Sequence, residues 1–191
     1  MKKDRPRLLL HICCAPDAVL AVPIMRKKYD VAGFFFNPNV QPQKEYEKRL
    51  DQVKKLSKIQ GWKLFIGEYD VERWFKRVKD NKWDGEYSAR CLKCITHSLE
   101  NTARLALKEG YGNFTTVLTN SPKKDVEMIN RIGKGIGEKY GVNFLKTVFR
   151  KDNGYPKSVN MTKKMNIYRQ NYCGCIFSKA ERGLIDIKEK V

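Results

Sequence analysis

Six cysteines stand in three close groups that lie far apart along the 191-residue chain. Cys13 and Cys14 are adjacent, Cys91 and Cys94 form a Cys-x-x-Cys pair, and Cys173 and Cys175 flank a glycine. In a reducing compartment such thiols serve as metal ligands or redox groups more often than as structural bridges. This distribution predicts a fold that brings three remote segments to one metal centre, beside a first strand that ends near Cys14.

The composition is that of a globular chain without a membrane segment: 41% of the residues are hydrophobic and 31% are charged. No apolar run approaches the length that a bilayer requires, and the basic start of the chain lacks the long apolar region of a signal peptide. We therefore expect a cytoplasmic protein without membrane contacts. The length suits a single domain over residues 1–191, since no repeat, low-complexity tract or linker divides it.

The charge balance favours nucleic acid as a partner. Thirty-nine Lys and Arg against twenty-one Asp and Glu give a formal net charge of +18, and such a field attracts polyanions. An RNA surface is expected around the last cysteine pair, where bases could stack on aromatic rings while cations meet phosphates; its residues are Tyr155, Lys157, Tyr168, Arg169 and Tyr172. The alternatives are a solvated charged surface and ordinary packing of a C-terminal segment.

Strand-like and helix-like segments alternate along the chain. The predicted strands cover residues 7–14, 31–36, 63–69, 114–119 and 144–149, and the predicted helices cover about 16–28, 43–60, 70–78, 89–109, 125–140, 163–170 and 176–182. This alternation is typical of an α/β fold with a mainly parallel, doubly wound, Rossmann-like sheet, here with a short C-terminal helical segment. Ligands of such sheets bind at the carboxyl ends of the strands where the strand order reverses, and we expect Cys13, Cys14 and Thr119-Asn120-Ser121 at that edge.

Six thiolates exceed what one tetrahedral zinc ion or one four-iron cluster uses. Three explanations are open from spacing alone. Four cysteines could hold a [4Fe-4S] cluster while the other two and Asp17 hold a neighbouring metal ion, four could bind structural zinc beside two spectators, or one pair could be a redox dithiol. Asp17 could equally be the acid that a helix N-terminus favours, and neither His11 nor His97 is predicted to be a ligand.

Several blocks of the sequence resemble the epoxyqueuosine reductases of the QueH type. They are His11-Ile12-Cys13-Cys14-Ala15-Pro16-Asp17; Asn37-Pro38-Asn39 with Glu45-Tyr46 and Arg49; Arg90-Cys91-Leu92-Lys93-Cys94; Thr119-Asn120-Ser121-Pro122-Lys123-Lys124; and Tyr168-Arg169-Gln170-Asn171-Tyr172-Cys173-Gly174-Cys175. The blocks run over nearly the whole chain, and the last is specific by itself. The cysteines and Asp17 show no departure from the family pattern.

The resemblance implies the last step of queuosine synthesis, in which the epoxide of epoxyqueuosine at the wobble position of a tRNA anticodon is reduced to the alkene. It implies an iron-sulfur cluster, an adjacent metal ion that we expect to be iron, an external one-electron donor and no cobalamin. It also implies a sheet similar to ATP pyrophosphatase-type folds. The turn from Cys13 to Ala18 has no glycine, however, so it lacks the phosphate cradle that ATP would need.

Epoxide deoxygenation needs electrons, protons and a group that stabilises the leaving oxygen, which suggests roles for particular residues. The six cysteines are expected to hold the cluster and the second ion, with Asp17 as a further ligand and catalytic group and Tyr46 as a proton donor. Substrate contacts are expected from Asn37, Glu45, Arg49, Ser121, Tyr168 and Arg169. Two rival functions stay open: an ATP-dependent tRNA thiolation enzyme with a cluster, and a zinc-stabilised RNA-binding module.

Overall fold

The architecture is a parallel five-stranded sheet with helices on both faces. The structure is a computed structural model, and it describes residues 5–186. The strands are β1 (Arg7–His11), β2 (Asp30–Phe35), β3 (Leu64–Ile66), β4 (Asn113–Thr116) and β5 (Asn143–Phe144), and they lie in the order β3-β2-β1-β4-β5 with all neighbours parallel. The predicted doubly wound α/β fold is confirmed.

Seven α-helices flank the strands within the described residues. They are α1 (Ala15–Met25), α2 (Gln43–Gln60), α3 (Val71–Val78), α4 (Ala89–Lys108), α5 (Val126–Tyr140), α6 (Gly154–Lys164) and α7 (Ile176–Glu181). Their starts follow local chemistry, because the Asp70 and Asp125 side chains accept backbone N–H groups in the first turns of α3 and α5. Between residues 5 and 186, none of these helices combines the length and hydrophobicity needed to cross a membrane.

Alternate residues of β1 pack into the two halves of the core. Leu8 and Leu10 pack with residues of α1 and α2 on one face of the sheet, and Leu9 packs with residues of α4 and α5 on the other. All three leucines are fully buried. The continuous apolar run is therefore that of a central strand covered on both sides, and it fixes the position of the segment that follows it.

The strand order reverses beside β1. The chain passes from β1 outward to β2 and β3 on one side and then returns to place β4 and β5 on the other. At such a switch point the connections that leave the carboxyl ends of two neighbouring strands diverge and leave a crevice. Here those connections are the Cys13-Cys14 turn after β1 and a 3₁₀ turn, Val117–Asn120, after β4.

Strands on both sides of the sheet are shorter than the sequence predicts. β1 ends at His11 rather than at residue 14, and β3 covers Leu64–Ile66 rather than 63–69. β4 ends at Thr116 rather than at residue 119, and β5 pairs over two residues rather than over 144–149. Beyond β5 the backbone bonds to a side chain, since the Thr147 N–H donates to Asn130 Oδ1 and the Thr147 carbonyl accepts from Asn130 Nδ2. Because the Asn130 amide replaces a partner strand there, the apolar pattern of the segment overestimates the strand length.

The helix predicted over residues 163–170 is wrong. The helix of this region is α6, which begins at Gly154 and ends at Lys164, and residues 165–170 are not helical. The buried face of α6 consists of Gly154, Ser158 and Thr162, spaced four apart, and the helix packs against α1. Hydrophobic periodicity cannot detect a helix whose buried face carries no large apolar side chain.

Candidate metal centre

Cys13, Cys14 and Asp17 form a compact group of potential metal ligands, here called the thiol–carboxylate group. The two sulfurs are 3.7 Å apart, and Asp17 Oδ2 lies 3.5 Å from Cys13 Sγ and 3.4 Å from Cys14 Sγ. The geometry arises because Cys14 is the N-cap of α1 and Asp17 lies in its first turn. Since one ligand atom of each residue lies within 4.8 Å of the others, a single ion can contact all three.

Asn120 holds the Asp17 carboxylate in one orientation. Its Nδ2 donates to Asp17 Oδ1 at 2.9 Å, while Oδ2 of the same carboxylate faces the two thiols. Both residues are buried. Burial raises the pKa of Asp17, whereas the hydrogen bonds from Asn120, Cys14 and Cys13 oppose that rise. The turn after β4 therefore orients a ligand that the turn after β1 supplies.

Cys91 and Cys94 lie one helical turn apart at the start of α4. Trp74 of α3 donates its indole N–H to Cys94 Sγ at 3.3 Å, and burial raises the pKa of the Cys94 thiol. Arg90 is buried and links this end of α4 to α7 through a 2.6 Å ion pair with Glu181. The cysteine pair is thus presented by a helix that two other helices hold in place.

The Cys173-Gly174-Cys175 segment is held against the loop that follows β2. Gln41 binds it twice, because its backbone N–H donates to the Gly174 carbonyl at 2.9 Å and its Oε1 accepts from the Ile176 N–H at 3.0 Å. Gly174 has a φ of 152°, and a Cβ at this position would lie 3.0 Å from Asn39 Nδ2. Glycine is required here for both its backbone conformation and its lack of a side chain.

The two thiols of this segment have different surroundings. Cys175 is buried at the N-cap of α7, where its Sγ accepts the Ser178 N–H at 3.4 Å, and burial raises its pKa to about 12. Cys173 is exposed, and Lys124 Nζ lies 3.1 Å from its sulfur. The electrostatic interaction with Cys173 raises the pKa of Lys124, so the lysine is a cation beside the candidate metal centre.

These groups surround one cavity of about 280 Å³ at the switch point, here called the switch-point cavity. Asp17 and five of the six cysteines line it, namely Cys13, Cys91, Cys94, Cys173 and Cys175. Cys14 is buried behind Cys13, with its sulfur 3.7 Å from the Cys13 sulfur. The fold thus brings the three cysteine groups to one edge of the sheet, and a thiolate-rich donor set of this kind can bind zinc or iron.

Four of the predicted substrate-contact residues line the switch-point cavity: Asn37, Arg49, Ser121 and Arg169. The other two, Glu45 and Tyr168, lie behind Arg49 instead. Glu45 accepts a 2.7 Å hydrogen bond from Arg49 Nε and a 3.1 Å bond from the Tyr168 hydroxyl. The Arg49 guanidinium in turn donates to the carbonyls of Tyr172 and Cys173. Glu45 and Tyr168 therefore support the cysteine loop through Arg49.

Tyr46, which the sequence suggests as a proton donor, lies in the core. Its ring stacks on Tyr69 with the centroids 3.9 Å apart and packs against Phe35 at 5.3 Å. Tyr46 is absent from the described residues that line the switch-point cavity. Its position is that of a packing residue.

The two histidines are held by contacts to protein groups. His11 pairs with Thr116 Oγ1 at 2.9 Å and with the Phe36 carbonyl at 3.3 Å, and burial lowers its pKa to about 4. His97 pairs with Asn101 and packs edge-on against the Phe36 ring. Neither belongs to the thiol–carboxylate group.

The sequence predicts no contact to this centre for four residues that make one: Gln41, Trp74, Asn120 and Lys124. For Asn120 it predicts only a position at the same edge of the sheet. Asn120 and Lys124 stand in the family-like block 119–124, so a signal is present, although spacing alone cannot say what they contact. Gln41 and Trp74 stand outside those blocks. Nothing in the sequence indicates that either one reaches a cysteine segment.

Comparisons with known proteins show which family the chain is similar to. The model of the family "Epoxyqueuosine reductase QueH" matches residues 8–181. The chain is 47% identical over 178 residues to epoxyqueuosine reductase QueH of Thermotoga maritima, with 92% of this chain and 91% of that protein covered. It is 36% identical over 194 residues to the protein of the same name from Staphylococcus epidermidis, with 97% and 81% covered.

A solved structure with a similar fold is the U34-tRNA thiolase NcsA from Methanococcus maripaludis with its [4Fe-4S] cluster. The TM-score is 0.59 at 10% sequence identity, and the match covers 95% of this chain and 65% of that larger chain. At this identity the likeness concerns the fold alone. It agrees with the α/β fold and mainly parallel sheet that the sequence predicts.

Proposed function

This chain belongs to the epoxyqueuosine reductase QueH family, and we propose that it reduces the epoxide of epoxyqueuosine in tRNA to the alkene of queuosine. The observation that carries the proposal is the meeting of five cysteines and Asp17 at one cavity, at the point where the strand order reverses. A single zinc site would use four of these ligands, whereas the full donor set suits a cluster with a second ion beside it.

The structure suggests how the ligands divide. Cys13, Cys14 and Asp17 are close enough to share one mononuclear ion, which we expect to be iron. The remaining four, Cys91, Cys94, Cys173 and Cys175, would hold the [4Fe-4S] cluster, since a helical Cys-x-x-Cys pair and a glycine-containing loop face the same cavity. When bound, the cluster would supply electrons singly and the ion would act as a Lewis acid.

The reaction fixes what the chain itself has to provide. Conversion of the epoxide to the alkene consumes two electrons and two protons and releases the oxygen as water, and an external one-electron donor would supply the electrons. The chain would contribute a fixed carboxylate, because Asn120 and two thiols hold Asp17. Tyr46 is left out of this proposal, since its ring is packed in the core.

The cavity also carries the charge that a polyanionic substrate needs. Lys123, Lys124, Arg169 and Arg182 line it together with the cysteines. Cations at the rim would pair with the phosphates on either side of the modified nucleotide, while the cavity takes the nucleotide itself. This arrangement, together with the formal net charge of +18, supports tRNA as the substrate.

The test combines composition with turnover. Protein purified without oxygen should contain iron and acid-labile sulfide, and with a low-potential chemical reductant it should convert epoxyqueuosine-containing tRNA to queuosine-containing tRNA, as measured by mass spectrometry of the nucleosides. Asp17→Ala should abolish conversion and keep most of the sulfide. Asp51→Ala, at an exposed position of α2, is the matched control and should behave as wild type.

Two outcomes would contradict the proposal. A colourless protein with stoichiometric zinc and no sulfide would favour a zinc-stabilised RNA-binding module. Wild-type turnover by Asp17→Ala would remove this carboxylate from the mechanism.

A further inference from the structure

Two planar side chains lie together on the wall of the switch-point cavity. Tyr155, in the first turn of α6, and Arg169, in the segment that follows α6, both line the cavity. The Arg169 guanidinium carbon is 5.6 Å from the centroid of the Tyr155 ring, and Arg169 Nη1 donates to Thr162 Oγ1 at 3.1 Å. The pair is therefore held in place by α6 and needs no ligand to keep its position.

Gln170 follows Arg169 and lines the same cavity. Its Oε1 is buried and has no hydrogen-bond partner among residues 5–186. A buried amide oxygen without a partner is unfavourable, and most such groups in folded proteins are satisfied by protein, water or ligand. The oxygen itself is turned away from the cavity that Gln170 lines, and rotation about the terminal bond of the side chain would bring it to the cavity wall. There, beside two planar side chains, it would suit a ligand that has both a flat face and hydrogen-bond donors on its edge.

We propose that Tyr155, Arg169 and Gln170 form the subsite for the purine-like base of the wobble nucleotide, with the first two contacting its face and the Gln170 amide oxygen accepting from its Watson–Crick edge. This inference rests on the proposed tRNA substrate. Proteins that read single-stranded RNA stack unpaired bases on aromatic rings and guanidinium planes and bond to their edges. The base of epoxyqueuosine keeps the N1–H and amino donors of guanine, whereas adenine presents an acceptor at N1.

The subsite would separate two kinds of recognition. Face contacts are the same for every purine, so Tyr155 and Arg169 would contribute affinity without selectivity. The edge contact would contribute selectivity, because an acceptor that meets an acceptor is left unpaired. Gln170 would thus be the residue that favours a guanine-type base, independently of the cyclopentane group that undergoes reduction.

Binding of two short RNAs tests this division. Anticodon stem-loops that differ only in guanosine or adenosine at the wobble position are titrated against the metal-loaded protein. Wild type should bind the guanosine form roughly tenfold more tightly. Gln170→Leu should bind both forms alike, Gln170→Glu should keep the preference because it keeps an acceptor, and Gln43→Leu, on exposed α2 surface, should match wild type.

The stacking pair has a separate readout. Tyr155→Leu should weaken the binding of both stem-loops by roughly tenfold or more, whereas Tyr155→Phe should leave both affinities unchanged. Equal binding of the two stem-loops by wild type would overturn the edge contact without any variant, and so would a full guanosine preference in Gln170→Leu. Because these titrations involve no reduction, failure of the subsite is distinguishable from failure of the reductase assay.

Discussion

Asn120 is the residue whose side chain most directly controls the orientation of Asp17. Its Nδ2 lies 2.9 Å from Asp17 Oδ1 and 3.3 Å from Ser158 Oγ, so both of its donors are used. Its Oδ1 is buried without a partner among the described residues. The amide is therefore fixed through its donors, and it leaves Asp17 Oδ2 facing the two thiols. Groups that orient a ligand in this way commonly affect metal affinity without touching the metal.

Asn120→Ala should lower the affinity for the proposed second ion roughly 10- to 100-fold, which is the usual effect of losing an orienting partner. The acid-labile sulfide should stay constant, because Asn120 contacts none of the four cysteines proposed for the cluster. Iron titration of cluster-containing protein from which a chelator has removed the mononuclear ion, with sulfide measured in parallel, checks both values. Asn160→Ala, at an exposed position of α6, should change neither value. An unchanged iron affinity in Asn120→Ala would show that Asp17 needs no orienting partner.

At the scale of helices and strands, the sequence predicts elements well where an apolar stripe specifies them. The predicted bounds of α2 match those observed, since Val53 and Leu56 form a buried stripe. β5 and α6 are mispredicted because polar groups make their contacts. The Asn130 side chain takes the place of a partner strand beyond β5, and α6 buries the hydroxyl groups of Ser158 and Thr162. The alternation of strands and helices likewise predicts at which edge of the sheet the cysteines meet. The positions of single side chains, such as Tyr46 in the core, depend on tertiary packing.

The glycines of α5 give an element-scale prediction, because they differ in what surrounds them. A Cβ on Gly133 would lie 2.3 Å from the Phe144 ring of β5, whereas a Cβ on the exposed Gly135 would meet nothing within 4 Å. Gly135→Ala should stabilise the protein by about 0.5–1 kcal/mol through helix propensity. Gly133→Ala should destabilise it by about 1–3 kcal/mol through overpacking. Urea unfolding of both variants measures the sign of each change in the free energy of unfolding. Equal changes in the two variants would mean that α5 does not pack closely on β5.

Across the whole molecule, one topological feature explains both the stability and the placement of the site. β1 is covered by helices on both faces, so its apolar residues anchor the sheet, and its polar continuation emerges at the switch point. The cysteines of α4 and of the loop before α7 join it there, because those elements lie over the same edge. Cysteines from opposite ends of the chain therefore meet only when the whole sheet is folded. Any condition that unfolds the sheet should therefore release all metal together.

Acid is one such condition, and the titration of His97 makes the pH dependence of the free energy of unfolding measurable. Burial, followed by the positive charge of Arg77, lowers the pKa of His97 from 6.5 to about 4. Between these values the unfolded chain binds a proton that the folded chain does not, so the free energy of unfolding should fall as the pH drops from 6.5 towards 4, by at most about 1.4 kcal/mol per pH unit for this residue.

His97→Gln should remove that contribution, since glutamine does not titrate in this range. Urea unfolding of wild type and His97→Gln at several pH values between 4 and 7.5 should give curves that converge as the pH falls, because the variant loses stability less steeply. His11, whose pKa is also lowered to about 4, is present in both proteins and leaves a common residual slope. Parallel curves would show that His97 titrates alike in the folded and unfolded states, and hence that its site is open to water.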